Sequence, residues 1–215
     1  MIKLINIGLF YLFFTQLTEY NFNHRLIYEV TNLKNQKKNH HVTYLINEQD
    51  NSYFVSQKKL SSYQNEVTFL DQKGIYWKGQ INNEELNKSK ISLKKEEISN
   101  YRNPYKHQVN HYNFIELRDT ILNNKVLKRF MLKSNEFETK KNKKLGTEVY
   151  VIDTSFSMNP LFTFATAYEI WKAKKNIPNG LIMEKYFFNS KHELITKEIL
   201  KSNESINLTF SLPSE

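Results

Sequence analysis

Short apolar runs separated by polar turns recur about every eight to twelve residues along much of the chain, the pattern of a meander of β-strands. Residues 26–31 are β-branched and aromatic, 34–39 are polar, and 41–46 form a second apolar run before the turn at 47–51 and a third run at 52–55. Residues 67–70 and 75–78 flank a turn ending at Gly74. The strongest hairpin pairs 111–122 with 126–133 around Asn123, Asn124 and Lys125, because Asn tolerates the left-handed backbone that tight turns need. Residues 147–152 are almost continuously apolar, which predicts a central strand. Residues 181–188 and 193–200 form a further hairpin about a turn at 189–191. Strict alternation through Ile206, Leu208, Phe210 and Leu212 predicts a last strand over 205–212, closed by Pro213. Residues 82–106 are charged with weak periodicity and fit a short helix or a long loop.

One segment breaks the strand rhythm. Leu161, Phe164, Ala165, Tyr168 and Trp171 recur at helical spacing, with Asn159 placed as N-cap and Pro160 at the first helical position. All three alanines of the chain (165, 167 and 173) fall here. The spacing predicts a helix over 160–174, ended before Pro178 and Gly180.

The amino terminus is different again. A short basic start with Lys3 precedes an uncharged run over 4–14, the size of a signal-peptide core and short of the roughly 20 residues that span a bilayer. Phe14 and Gln16 are not the small pair of a processing site, but the order of charge then apolar run favours export. Residues 1–18 are therefore expected to be a signal peptide and 19–215 one domain, periplasmic or secreted. A buried first strand or helix is the alternative.

The 215 residues carry 31 Lys+Arg against 22 Asp+Glu, a net charge of +9. With no cysteine, disulfides, Cys-ligated zinc, a thiol nucleophile and a lipobox anchor are all excluded. Fifteen Phe and thirteen Tyr lean towards sheet. The lysine pairs are scattered over predicted turns and concentrate only at 140–144, so the charge suits an anionic envelope surface or acidic partner better than nucleic acid.

Candidate chemistry is sparse. The strand ending in Asp153-Thr154-Ser155-Phe156-Ser157 resembles the metal-ion-dependent adhesion site of von Willebrand factor A domains, in which a carboxylate and two hydroxyls hold Mg²⁺. The other three Asp (50, 71 and 119) all precede it, so no later Asp completes the site, and a turn capped by Asp153 or Ser155 is the plainer expectation. His107 and His111 lie four residues apart and would share one face of a helix or strand, but no third ligand is in sequence reach. His40 and His41 sit in a turn. No Gly-x-Ser-x-Gly and no glycine cluster occurs, so no catalytic residue, resident metal or cofactor is expected.

Two stretches carry a resemblance. Ile177-Pro178-Asn179-Gly180-Leu181-Ile182-Met183-Glu184, followed by a hairpin, is similar to the Pro-Gly-Leu-Ile core of the GLPGLI family of exported Bacteroidetes proteins, with Asn179 inserted and the preceding Gly-Leu missing. The terminal hairpin and the run Ile206-Asn207-Leu208-Thr209-Phe210-Ser211-Leu212-Pro213 resemble the close of LolA-type lipoprotein carriers, which are open half-barrels with helices over a concave apolar face. The resemblance implies an exported β-rich protein that binds a lipid or apolar chain.

The expected fold is α+β: one strongly curved antiparallel sheet, an open half-barrel, with one main helix on a face; an all-β open barrel is the alternative. The expected function is non-enzymatic binding of a lipid or other apolar ligand between sheet and helix, lined by Leu161, Phe162, Phe164, Tyr168, Trp171 and Phe187. Each of these also suits plain core, since stripes at helical spacing commonly seal one. An envelope structural or interaction protein using a strand edge, and a metal-dependent adhesion module at 153–157, are the alternatives.

Overall fold

The computed structural model describes residues 17–34, 37–100, 103, 106–135 and 146–213. Nearly all of the expected signal segment and the basic stretch 140–144 lie outside them. The elements are β1 (Leu17–Asn32), β2 (Lys37–Ile46), β3 (Tyr53–Lys59), β4 (Gln64–Asp71), β5 (Ile75–Asn82), the one-turn helix α1 (Asn83–Leu86), β6 (Lys90–Ser92), β7 (Ile98–Asn100), β8 (Tyr112–Leu122), β9 (Lys125–Ser134), β10 (Thr147–Asp153), helix α2 (Ala165–Lys174), β11 (Leu181–Phe188) and β12 (Leu194–Pro213). Single-turn 3₁₀ segments lie at Lys95–Glu97 and Lys106–Asn110.

All twelve strands join one sheet in the order β7-β5-β4-β3-β2-β1-β12-β11-β10-β9-β8, with β6 added to β12. Every pairing is antiparallel except β6 with β12. The sheet dominates and α2 is the main helix, so the single-sheet expectation holds while the helical share is smaller than α+β suggests.

Several predicted elements are revised. The run 205–212 is no separate strand. It continues from 194 as the 20-residue β12, paired along its length with β1, and bulges between Phe22 and His24 and between Ile27 and Tyr28 bend the pair without ending it. The stretch 82–106 contains α1 and two three-residue strands. β10 is an interior strand, but the middle of the sheet is β1–β12. Its continuous apolar run arises because Tyr150 and Ile152 are buried on one face and Val149 and Val151 on the other. The β8–β9 turn is as predicted, with Asn123 and Asn124 at φ 51° and 62°.

The largest revision is at 160–174. The helix begins only at Ala165, and Phe164 stands at its N-cap without a side-chain cap bond. Asn159 is engaged elsewhere: its N–H donates to the Glu48 carbonyl at 2.7 Å and its side-chain amide to the Gln49 carbonyl at 2.6 Å. Asn51 in turn donates to the Pro160 carbonyl at 2.8 Å. Residues 159–164 are thereby tied to the β2–β3 turn as a strap, and the chain is free to coil only beyond it. The helix ends where Lys175 adopts the left-handed conformation (φ 48°) and returns its N–H to the Trp171 carbonyl at 2.7 Å.

The core lies on both sides of the sheet. Leu45, Val55, Val67, Phe69 and Trp77 pack with Tyr20, Phe22, Ile91, Leu208, Phe210 and Leu212, so the ends of β1 and β12 together with β6 close over β2–β5. Adjacent residues in the same strands, Tyr44, Ile46, Phe54 and Leu70, point to the other face and meet Met158 and Leu161 of the strap region. That face continues beneath α2, where Phe114, Phe130, Tyr150 and Ile152 pack against Phe162, Tyr168, Ile170 and Trp171.

Candidate ligand-binding site

The strap covers only part of this second face. Beyond Thr163 the sheet lies open, and a depression of about 360 Å³ is lined by Val42, Tyr44, Phe54, Ser56, Gln57, Lys58, Glu66, Thr68, Leu70, Tyr76 and Thr163. Strands β2–β5 build its floor by alternation: Tyr44 pairs with Ser56, Ser56 with Thr68, Phe54 with Leu70, and Leu70 with Tyr76, all on one face. The rigidity of the floor comes from the opposite face, where Leu45, Val55, Val67 and Phe69 are fully buried.

A buried charge stands behind the wall. Lys185 on β11 is 9% exposed, lies 2.5 Å from the carboxylate of its cross-strand partner Glu198, and donates to the Thr163 hydroxyl at 3.3 Å. Its Nζ also sits 5.2 Å from the Tyr44 ring centroid and 5.4 Å from that of Tyr28. Burial works against this charge, but Tyr44, Glu198 and Tyr28 outweigh it and hold the ammonium above the ordinary lysine range. Burial likewise pushes the Tyr44 phenol up, against the opposing pull of Lys185. Glu148, on the same face, is raised by burial despite the hydrogen bond donated by Tyr150.

None of the six residues expected to line a pocket lines this depression. Leu161, Phe162, Tyr168 and Trp171 are buried as interior packing, with the Phe162 ring against Phe114, Tyr150 and Trp171. Phe164 packs at the margin of the same cluster. Phe187 is 38% exposed near the end of β11. Helical spacing marked the face of α2 that seals the core; the opening lies beside Thr163, where the cover runs out. The signal for the site was the apolar character of both faces at 42–46, 53–55 and 67–70, which marks strands buried on two sides rather than one.

The other candidates fall into structural roles. Asp153 accepts from the Ser155 N–H at 3.0 Å and hydroxyl at 2.6 Å, and from Lys125 at 3.2 Å, so the Asp-x-Ser sequence caps its own turn. Burial works to raise its pKa, but these bonds outweigh burial and hold the carboxyl below its usual range. His40 and His41 lie in β2 rather than a turn, and the side chain of His107 is outside the described residues. Among the described residues, no three His, Asp or Glu side chains gather as metal ligands. In the Pro178-Asn179-Gly180-Leu181-Ile182 stretch, Gly180 is required by proximity: a Cβ there would lie 2.5 Å from Ile152 Cγ2 and 2.8 Å from the Asp153 carbonyl.

No family model matches the chain, and no curated protein sequence matches it. Among solved structures, MucB in the Pseudomonas aeruginosa MucA/MucB complex is similar over 91% of this chain and 54% of that one, at 9% identity and TM-score 0.46. The chain thus spans about half the length of the MucB chains it matches. The LolA superfamily protein NE2245 from Nitrosomonas europaea is similar over 87% of both chains, at 9% identity and TM-score 0.32. A putative outer membrane lipoprotein-sorting protein domain from Vibrio parahaemolyticus matches over 87% of this chain and 85% of that one, at 8% identity and TM-score 0.24.

Proposed function

We propose that the chain binds the apolar part of a lipid or similar amphiphile in the depression beside Thr163, without chemical turnover, as an exported protein of the cell envelope. The observation that carries this is the depression itself. Its volume of about 360 Å³ falls within the roughly 300–1,000 Å³ of small-molecule sites, and Val42, Tyr44, Phe54, Leu70 and Tyr76 give it an apolar floor. It lies beside the strap that leads into α2, where the cover of this face ends at Thr163, and Leu161, Phe162, Phe164, Tyr168, Trp171 and Phe187 are not among its lining residues. Export is supported by the basic start and apolar run over 4–14. No helix among the described residues is long and apolar enough to cross a membrane.

The strand-edge alternative has less support. β8 is an edge strand, but its register with β9 breaks between Leu117 and Thr120, and irregular edges resist pairing with another chain.

The test is native mass spectrometry, with lipid extraction, of protein purified from its own envelope. A co-purifying lipid is expected at a fixed ratio, lost in Thr163→Trp, which fills the opening, and in Leu70→Arg, which charges the floor. Retention of the same lipid by both folded variants would overturn the site. Failure to recover or rebind any amphiphile would overturn the function.

A further inference from the structure

The floor of the depression changes character along the strands. Its first cross-strand row is Phe54, Leu70 and Tyr76. Two residues further along β3 comes a row of hydroxyls, Tyr44, Ser56 and Thr68, extended by Lys78. Two residues further again, Lys58 pairs across the strands with Glu66. At about 3.4 Å per residue the rows are about 7 Å apart, so the surface passes from apolar to charged within about 14 Å. A purely apolar ligand has no use for the outer rows, whereas an amphiphile matches them end to end.

The polar groups also favour one sign. Ser56, Thr68, Tyr44 and Tyr76 present hydroxyls that can donate. The Thr163 oxygen accepts from Lys185, which leaves its own O–H free to donate. The only carboxylate in the lining, Glu66, is already held by Lys78 at 3.0 Å. Behind the wall, Glu198 is matched by Lys185. Lys58 is exposed and has no ion-pair partner among the described residues. The outer rim therefore carries one uncommitted positive charge beside several hydroxyl donors, and no uncommitted carboxylate.

We infer that the occupant is an anionic amphiphile, its tail over Phe54, Leu70 and Tyr76 and its carboxylate or phosphate at Lys58 and the hydroxyl row. This rests on the reading above that the depression binds an amphiphile, and adds the sign and position of the headgroup.

Isothermal titration of the full chain with myristate, lysophosphatidylglycerol, lysophosphatidylcholine and dodecyl maltoside, each below its micelle concentration, tests it. One or both anions should bind more tightly than the zwitterion and the maltoside, with the preference fading in high salt. Lys58→Gln should weaken the preferred anion about three- to fivefold, the effect of a solvent-exposed ion pair, and leave the maltoside unchanged. Lys58→Arg should retain the preference. Glu66→Gln, which frees Lys78, should strengthen it. Binding of myristate alone identifies a carboxylate headgroup, and binding of lysophosphatidylglycerol alone a phosphate. Equal binding of all four with no response to Lys58→Gln would overturn the headgroup inference and leave the site standing. No binding by any of them would overturn both.

Discussion

Phe69 on β4 and Phe210 on β12 lie with ring centroids 6.1 Å apart, although β3, β2 and β1 stand between their strands in the sheet. In a flat sheet four strand spacings would separate them by about 19 Å. The contact is made because the sheet rolls over itself, and Tyr20 on β1 joins it with its ring 4.7 Å from Phe69. This closed half gives the floor of the depression its rigid backing.

Phe210 is fully buried at that closure, so Phe210→Ala should cost about 3–5 kcal/mol through lost burial and the cavity left behind. The urea midpoint should fall with an unchanged slope. Phe187→Ala, at a partly exposed position, should cost under about 1 kcal/mol.

Gly180 sits where the chain passes close beneath the end of β10. Gly180→Ala places a methyl against Ile152 and the Asp153 carbonyl, and should destabilise by about 1–3 kcal/mol through overpacking. A melting temperature equal to that of the parent would show that the connection from α2 to β11 can shift to make room.

Lys185 is buried and its partner Glu198 is partly buried, so removing one strands the other. Lys185→Met should cost about 3 kcal/mol, while Lys185→Met with Glu198→Leu should recover most of the loss, since an apolar pair needs no desolvation of charge. A double-mutant cycle on the unfolding free energies checks this. Simple additivity of the two single changes would mean the pair is not coupled.

Acid should act through Asp153. Its folded carboxyl titrates below the ordinary 3.8, so it contributes stability that is present above that value and lost as pH falls through its folded pKa. Asp153→Asn should be less stable than the parent at neutral pH, and the difference should close in acid. Asp50 is lowered in the same way, against burial, by Ser52 and Lys73, so the variant should keep part of the parent's acid sensitivity. Urea midpoints measured from neutral pH downward give the comparison.

The strand pattern was readable because it is local. Short apolar runs bounded by turns place 52–55, 67–70 and 75–78 in strands whatever surrounds them, and the paired asparagines at 123–124 supply the left-handed turn by their own chemistry. The helix was readable in existence but not in extent. Asn159-Pro160 is a good local start, yet the carbonyls of Glu48 and Gln49 compete for the donors of Asn159 from more than a hundred residues away. The packing around α2 was not readable for a related reason. Spacing identifies which side of α2 is apolar, but not whether a partner fills the space against it; Phe114, Tyr150 and Ile152 do so completely.

From residue order alone follow a β-rich chain without cysteine chemistry, the place of most of its strands, one helix within 160–174, and a net basic charge. These rest on interactions within a few residues of each other. The roll that brings Phe69 to Phe210, the course of the strap, and the place where cover ends at Thr163 depend on contacts between strands far apart in sequence. Such contacts form only once the whole sheet has closed, and no local pattern specifies them. The depression exists because two faces of β2–β5 are covered to different extents, which is a property of the assembled sheet.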